Sequence, residues 1–181
     1  MAARRANATA EAVARIERER WHADLTPQFT VSLERVGRDR AKMSVRLIGP
    51  LPLHHLDGVG VKVVQSDDMS YTARLAGGPT QEQLDAQVWG PLRFVPGVDG
   101  ADASGQTIPP FPLRVGAGRP LALERTRPPR WQVGDDRNAR WRDQWLNKPL
   151  RLVITCRRNG FDPWEVPCEV DVPEAPRVRT L

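Results

Sequence analysis

The chain has 181 residues and a mass of 20.3 kDa, enough for one core and too little for two large domains. Its 14 glycines and 17 prolines exclude an all-helical bundle and favour short strands joined by turns. The formal charge is +5, and no run of about 18 apolar residues is present, which excludes a transmembrane helix.

Residues 4–21 read as an amphipathic helix rich in alanine and arginine, with Asn7 or Thr9 as cap. Its apolar stripe is thin: Ala6, Ala10, Val13, Ile16 and Trp21. Such a helix is marginal alone. Its plainest reading is a frayed surface helix; otherwise it is expected either to dock through Val13, Ile16 and Trp21 or to protrude toward a partner. Leu25, Thr26 and Pro27 stop it.

From there the chain alternates with period two, the mark of half-buried strands. Phe29, Val31 and Leu33 share one face, and Met43, Val45 and Leu47 another, with a turn at 37–40 between them. Ile48 falls on the opposite phase. Val59, Val61 and Val63 line the next strand, and 71–75 is read as a further short one after a turn at 66–68. Thr80 and Gln83 are spaced for a capping box on a one- or two-turn helix. Residues 88–95 hold Gly90 and Pro91, which suggests an edge strand or bulge, and Pro112 assigns the strand at 111–115 to an edge. Residues 96–110 form the clearest loop. A short helix is expected at 139–147, capped by Asn138, with Trp141 and Trp145 one turn apart on one face. Leu150, Leu152, Ile154 and Cys156 mark the strongest strand, and Val166, Cys168 and Val170 its hairpin partner.

Eight or nine short strands, each with one apolar face, must stack on something, and a second sheet is the economical solution. The pattern resembles an immunoglobulin-like or related Greek-key antiparallel β-sandwich, with a partly closed barrel as the alternative. The resemblance is architectural and implies no function by itself. The tryptophan packed on a long-range disulfide, typical of that family, is absent. Residues 1–24 are assigned to the helix, 25–175 to a single sandwich domain and 176–181 to a frayed tail.

Few side chains point to chemistry. Cys156 and Cys168 lie on one phase of successive strands, so a bridge is conceivable. The N-terminus carries no apolar run after its arginines, so a reducing cytoplasm with two buried thiols is the expectation. His54, His55 and Asp57 are the one concentrated metal-capable group, yet no further ligand lies near them in sequence. Asp99, Asp102, Ser104 and Gln106 resemble a calcium loop only superficially, and Gly97, Gly100 and Gly105 point instead to turn geometry. No phosphate-binding, dinucleotide-binding, zinc-protease or serine-hydrolase motif is present. No metal and no cofactor is expected.

The richest functional signal is the interleaving of Trp131, Trp141, Trp145 and Trp164 with Arg127, Arg130, Arg137, Arg140 and Arg142. The rings can plug an open end of the sandwich, or together with Arg137 and Arg140 form an interface, since Trp and Arg dominate binding hot spots. Residues 111–158 hold 12 basic and 4 acidic side chains, a net +8 that could attract phosphate backbones. The leading expectation is a non-catalytic binding or scaffold module that acts through contact with a protein partner. A nucleic-acid-associated protein using 111–158 and an enzyme with a site built from distant residues are the alternatives.

Overall fold

The structure, a computed structural model, describes residues 2–65 and 78–173, with side chains from residue 11 onward. The strand expected at 71–75, the turn at 66–68 and the tail at 176–181 lie outside the described residues.

Strand formation follows the apolar alternation. β1 (Gln28–Arg35) and β2 (Arg40–Gly49) form the expected hairpin, with Val31 opposite Val45 and Leu33 opposite Met43. On β2 the side chains of Met43, Val45 and Leu47 are fully buried, while Arg46 and Ile48 face solvent, which explains the odd phase of Ile48. β3 (His55–Val63) buries Val59, Val61 and Val63. β4 (Leu92–Phe94) is short, and β5 (Thr107–Arg114) and β6 (Gly118–Arg125) follow. β7 (Leu150–Arg157) buries Leu150, Leu152, Ile154 and Cys156, and pairs with β8 (Trp164–Val170).

These strands form two antiparallel four-stranded sheets, ordered β1-β2-β6-β4 and β5-β3-β7-β8. Their inner faces meet in one core that joins Met43, Val45, Leu47 and Leu123 with Leu56, Val61, Leu152 and Ile154. This is a β-sandwich, not a closed barrel. Its spatial order matches the immunoglobulin layout of an A-B-E-D sheet on a C′-C-F-G sheet. The chain, however, visits the D position with β4 before it visits the C′ position with β5.

Edge chemistry agrees with this order. β5 carries Pro109, Pro110 and Pro112 and is an edge strand, where missing donors break no ladder. Its neighbour β3 supplies Gly58, where a Cβ would come within 3.2 Å of Pro110 Cβ, and the pairing shifts register twice along this pair. The exposed Pro167 of β8 also sits on an edge.

The helices depart from expectation in detail. α1 spans Ala2–Asp24, longer than 4–21, so Asn7 and Thr9 lie inside it rather than at its start. α2 (Gln81–Ala86) has the expected capping box, with Thr80 and Gln83 bonded in both directions. α3 (Arg137–Trp141) begins after Asp136, not Asn138, and continues through Arg142–Leu146 as a wider π-type turn. No helix among the described residues is long and apolar enough to cross a membrane.

The two thiols are free, as expected, and the conceivable bridge is not formed. Cys156 stands opposite Trp164 and Cys168 opposite Leu152, four residues apart in register. Burial pushes the Cys156 thiol up to about 12. Cys168 is only half-buried, and burial raises it too.

The loop at 95–106 is tied by its acids. Asp99 accepts the Ala122 N–H at 2.8 Å. Asp102 accepts the Gln106 N–H at 3.0 Å, the Ser104 hydroxyl at 2.7 Å and the Thr107 N–H at 3.1 Å, as well as the Thr107 hydroxyl. The oxygens of the calcium-like segment are therefore spent on the loop itself. Gly97, Gly100 and Gly105 all adopt positive φ. At Gly105 a side chain would also collide with the Phe94 carbonyl oxygen, so only glycine fits.

Partial burial works to raise the Asp102 carboxyl, but the bonds from Thr107, Ser104, Gln106 and Gly105 outweigh it and hold the group below its ordinary value. A depressed folded value stabilises the protein above the unfolded value of about 4, and that contribution is lost as pH falls through the folded value. Urea unfolding of Asp102→Asn should show lower stability than wild type at pH 7. The gap should narrow as pH falls below about 4. A constant gap down to pH 2.5 would show that the charge of Asp102 does no stabilising work.

Candidate functional site

One end of the sandwich carries the turn between β1 and β2, the start of β4, the end of β6, the start of β7 and the end of β8. The chain leaving β6 runs outward here and returns through α3. Trp141 and Trp145, one turn apart, meet Trp89 from the segment before β4. The three ring pairs lie 5.5, 5.5 and 5.8 Å apart at tilted angles, a packing that aromatic quadrupoles favour. All three rings are buried, and Trp131, Leu84 and Leu146 pack around them as a second, small core.

Thr126, buried just beyond β6, ties this cluster to the sheet. Its hydroxyl donates to the Gly90 carbonyl and accepts the Trp141 Nε1–H at 3.2 Å. The indole N–H groups of Trp89 and Trp145 are buried without a hydrogen-bond partner among the described residues.

The interface residues singled out in the sequence therefore separate. Trp141 and Trp145 turn their rings inward and act as plugs, and Trp131 is half-buried against them. Arg137 and Arg140 are exposed but hold their own loop. Arg140 meets Asp136 at 3.4 Å and donates to the Val133 carbonyl at 3.1 Å, and Arg137 donates to the Gln132 carbonyl at 3.5 Å. Trp89, the third wall of the cluster, is distant in sequence from α3. Its isolated indole beside Gly90 and Pro91 was the one available signal.

Trp164 lies at the opposite end and holds α1. Its ring stacks on His22 at 4.6 Å and 7°, and its Nε1–H donates to the His22 carbonyl at 3.0 Å. The His22 Nε2 lies 2.9 Å from the Asp162 carbonyl oxygen, and Phe161 stacks on the far side of Trp164. These contacts grip the last turn of α1. Val13, Ile16 and Trp21 are 53%, 56% and 60% exposed, so between docking and protruding, this helix protrudes. Glu17, Trp21, Phe161 and Asp162 line a groove between it and the β7–β8 loop.

The +8 segment is not one patch. Arg151 pairs with Glu169 at 2.9 Å, and Arg119 and Arg158 lie over the rings of Phe111 and Phe161. Arg125, Arg127, Arg142 and Lys148 of that stretch line a common cleft beside the tryptophan plug. Arg35 and Arg38, from the far N-terminal side of the sequence, join them there. Burial, together with the charges of Arg35, Arg142 and Arg38, lowers Arg125 from its ordinary value against the opposing pull of Asp39.

Among the described residues no three His, Cys, Asp or Glu side chains are placed to hold a metal. His55 and Asp57 do approach to 3.3 Å, both half-exposed on β3. Asp57 also accepts the Asn159 N–H at 2.7 Å, which fastens the β7–β8 loop to β3. No protein-family model, curated protein or solved structure matches the chain.

Two variants test the two ends. Thr126→Val keeps the volume but strands the Trp141 N–H and the Gly90 carbonyl, so it should cost about 1–3 kcal/mol per stranded group. That would appear as a Tm several degrees lower; an unchanged Tm would mean that water already serves both groups. Trp164→Phe keeps an aromatic ring beside His22 but loses part of the stacking surface and the bond to the His22 carbonyl. Hydrogen exchange at residues 20–25 should then quicken about 5-fold for a loss of roughly 1 kcal/mol, with exchange in β2 and β3 unchanged.

Proposed function

We propose that this chain is a non-catalytic binding module that engages a protein partner through α1 and the groove at its foot. One observation carries this reading. A helix of 23 residues, about 35 Å long, is gripped at its last turn and leaves Val13, Ile16 and Trp21 in water. A helix that merely decorated the surface would lay this stripe on the sheet, since exposed apolar area on a marginal helix costs stability without return. The stripe is flanked by both signs of charge, including an Arg15–Glu19 pair at 3.8 Å, which suits another amphipathic helix better than a uniformly charged polymer. Trp21 at the rim of the groove offers the kind of aromatic anchor on which interface energy concentrates. A reducing compartment such as the cytoplasm suits the two free thiols.

The test is capture from the source cell at low and physiological salt, with wild type beside Val13→Asp/Ile16→Asp. Both positions are exposed, so the variant should melt at the wild-type temperature. A specific protein should be retained by wild type at both salts and reduced at least about 10-fold by the variant. Equal recovery with both baits, or no protein enriched by wild type, would overturn this reading.

A further inference from the structure

We infer that the arginine cleft beside the tryptophan plug is a binding site for a small phosphorylated ligand, with the phosphate group held by Arg35, Arg38, Arg125 and Arg142. This surface lies at the opposite end of the sandwich from α1 and does not depend on the reading above.

The cleft consists of two adjoining hollows of about 650 and 390 Å³ that share Arg38, Arg125 and Leu146. These volumes fall within the range of small-molecule sites. Arg35, Arg38, Arg125, Arg127 and Arg142 all line it, and Asp39 and Asp171 are the acids in its walls. Among the described residues, the one ion pair these five arginines make is Arg125 with Asp39, at 3.8 Å. Arg38, Arg127 and Arg142 make no side-chain hydrogen bond there. Arg35 donates one bond, from Nη2 to the Arg38 carbonyl at 3.3 Å, while its Nε is buried without a partner.

Two costs thus meet at one place: like charges crowd together, and a buried N–H is unsatisfied. One phosphate dianion relieves both. Its tetrahedral oxygens match the forked donors of several guanidinium groups, and its charge removes their mutual repulsion.

Among the described residues, other arginines are instead paired with acids. Arg40 and Arg93 close on Glu124 at 3.4 and 2.8 Å, and Arg151 closes on Glu169. A nucleic-acid backbone needs a continuous basic track, and these neutralised stretches interrupt one. The cleft is a local site. Its remaining wall includes Leu146, Pro149 and Val172, which favour an apolar body attached to the phosphate.

The experiment is calorimetric titration at constant ionic strength, with chloride as the compensating anion. Inorganic phosphate should bind with a Kd on the order of 1 mM, and phenyl phosphate more tightly. Arg38→Gln/Arg142→Gln, both at exposed positions, should weaken each ligand at least about 10-fold. Arg114→Gln/Arg157→Gln, both exposed outside the cleft and removing the same two charges, should leave both affinities unchanged and so controls for net charge. Three results would each overturn the assignment: no phosphate binding to wild type, equal losses in both variants, or phenyl phosphate no tighter than phosphate. A single-stranded oligonucleotide that binds 100-fold tighter than phosphate, with a steep salt dependence, would replace the small ligand with a polymer.

Discussion

Met43, Val45 and Leu47 leave water on the side of β2 opposite Arg46, and Val59, Val61 and Val63 do the same on β3 opposite Lys62. Neither row can be covered by its own sheet. Each apolar face must find another, and the two sheets supply them to each other in one core. The rest of the molecule answers the consequences of that stacking. Edges must be protected, and β5 does so with three prolines. Ends must be closed, because side chains there have a neighbour below and water above. One end is closed by Trp89, Trp141 and Trp145, and the other by Trp164 with His22 and Phe161.

The closures differ in what they hold. At the plug end, three indoles seal a loop connection and leave a ring of arginines outside the seal. At the far end, one indole seals by gripping a helix that extends away from the body. Each device turns a structural need into an accessible surface: a cationic cleft where five arginines outnumber two acids, and an apolar stripe on a rod anchored at one end. The two surfaces occupy opposite ends of the sandwich, so both could be engaged at once.

Charge along the chain and charge in space are different quantities here. Arg93 and Glu124 belong to segments of opposite sign in sequence, yet stand opposite each other in the β4–β6 ladder and close at 2.8 Å. Arg151 and Glu169 do the same between β7 and β8. Antiparallel pairing therefore brings charges of opposite sign together from distant segments. The cleft's arginines come from 35, 38, 125, 127 and 142, a set that no short window of the sequence contains.

The period-two rows at 29–33, 43–47, 59–63 and 150–156, the proline-bearing edge at 111–115 and the Thr80–Gln83 cap were all legible from residues alone, because each depends on spacing within a few positions. So was the turn role of Gly97, Gly100 and Gly105 in the loop. The burial of Trp141 and Trp145 could only be posed as a choice, since it depends on Trp89 and Thr126 arriving from elsewhere. Local sequence likewise could not show that β4 fills its place in the sheet before β5 fills its own, that the cysteines miss each other by four residues, or that α1 is held by Trp164. Alternation tells each strand which face to bury. Only the folded chain decides what that face, and the charges around its rim, will meet.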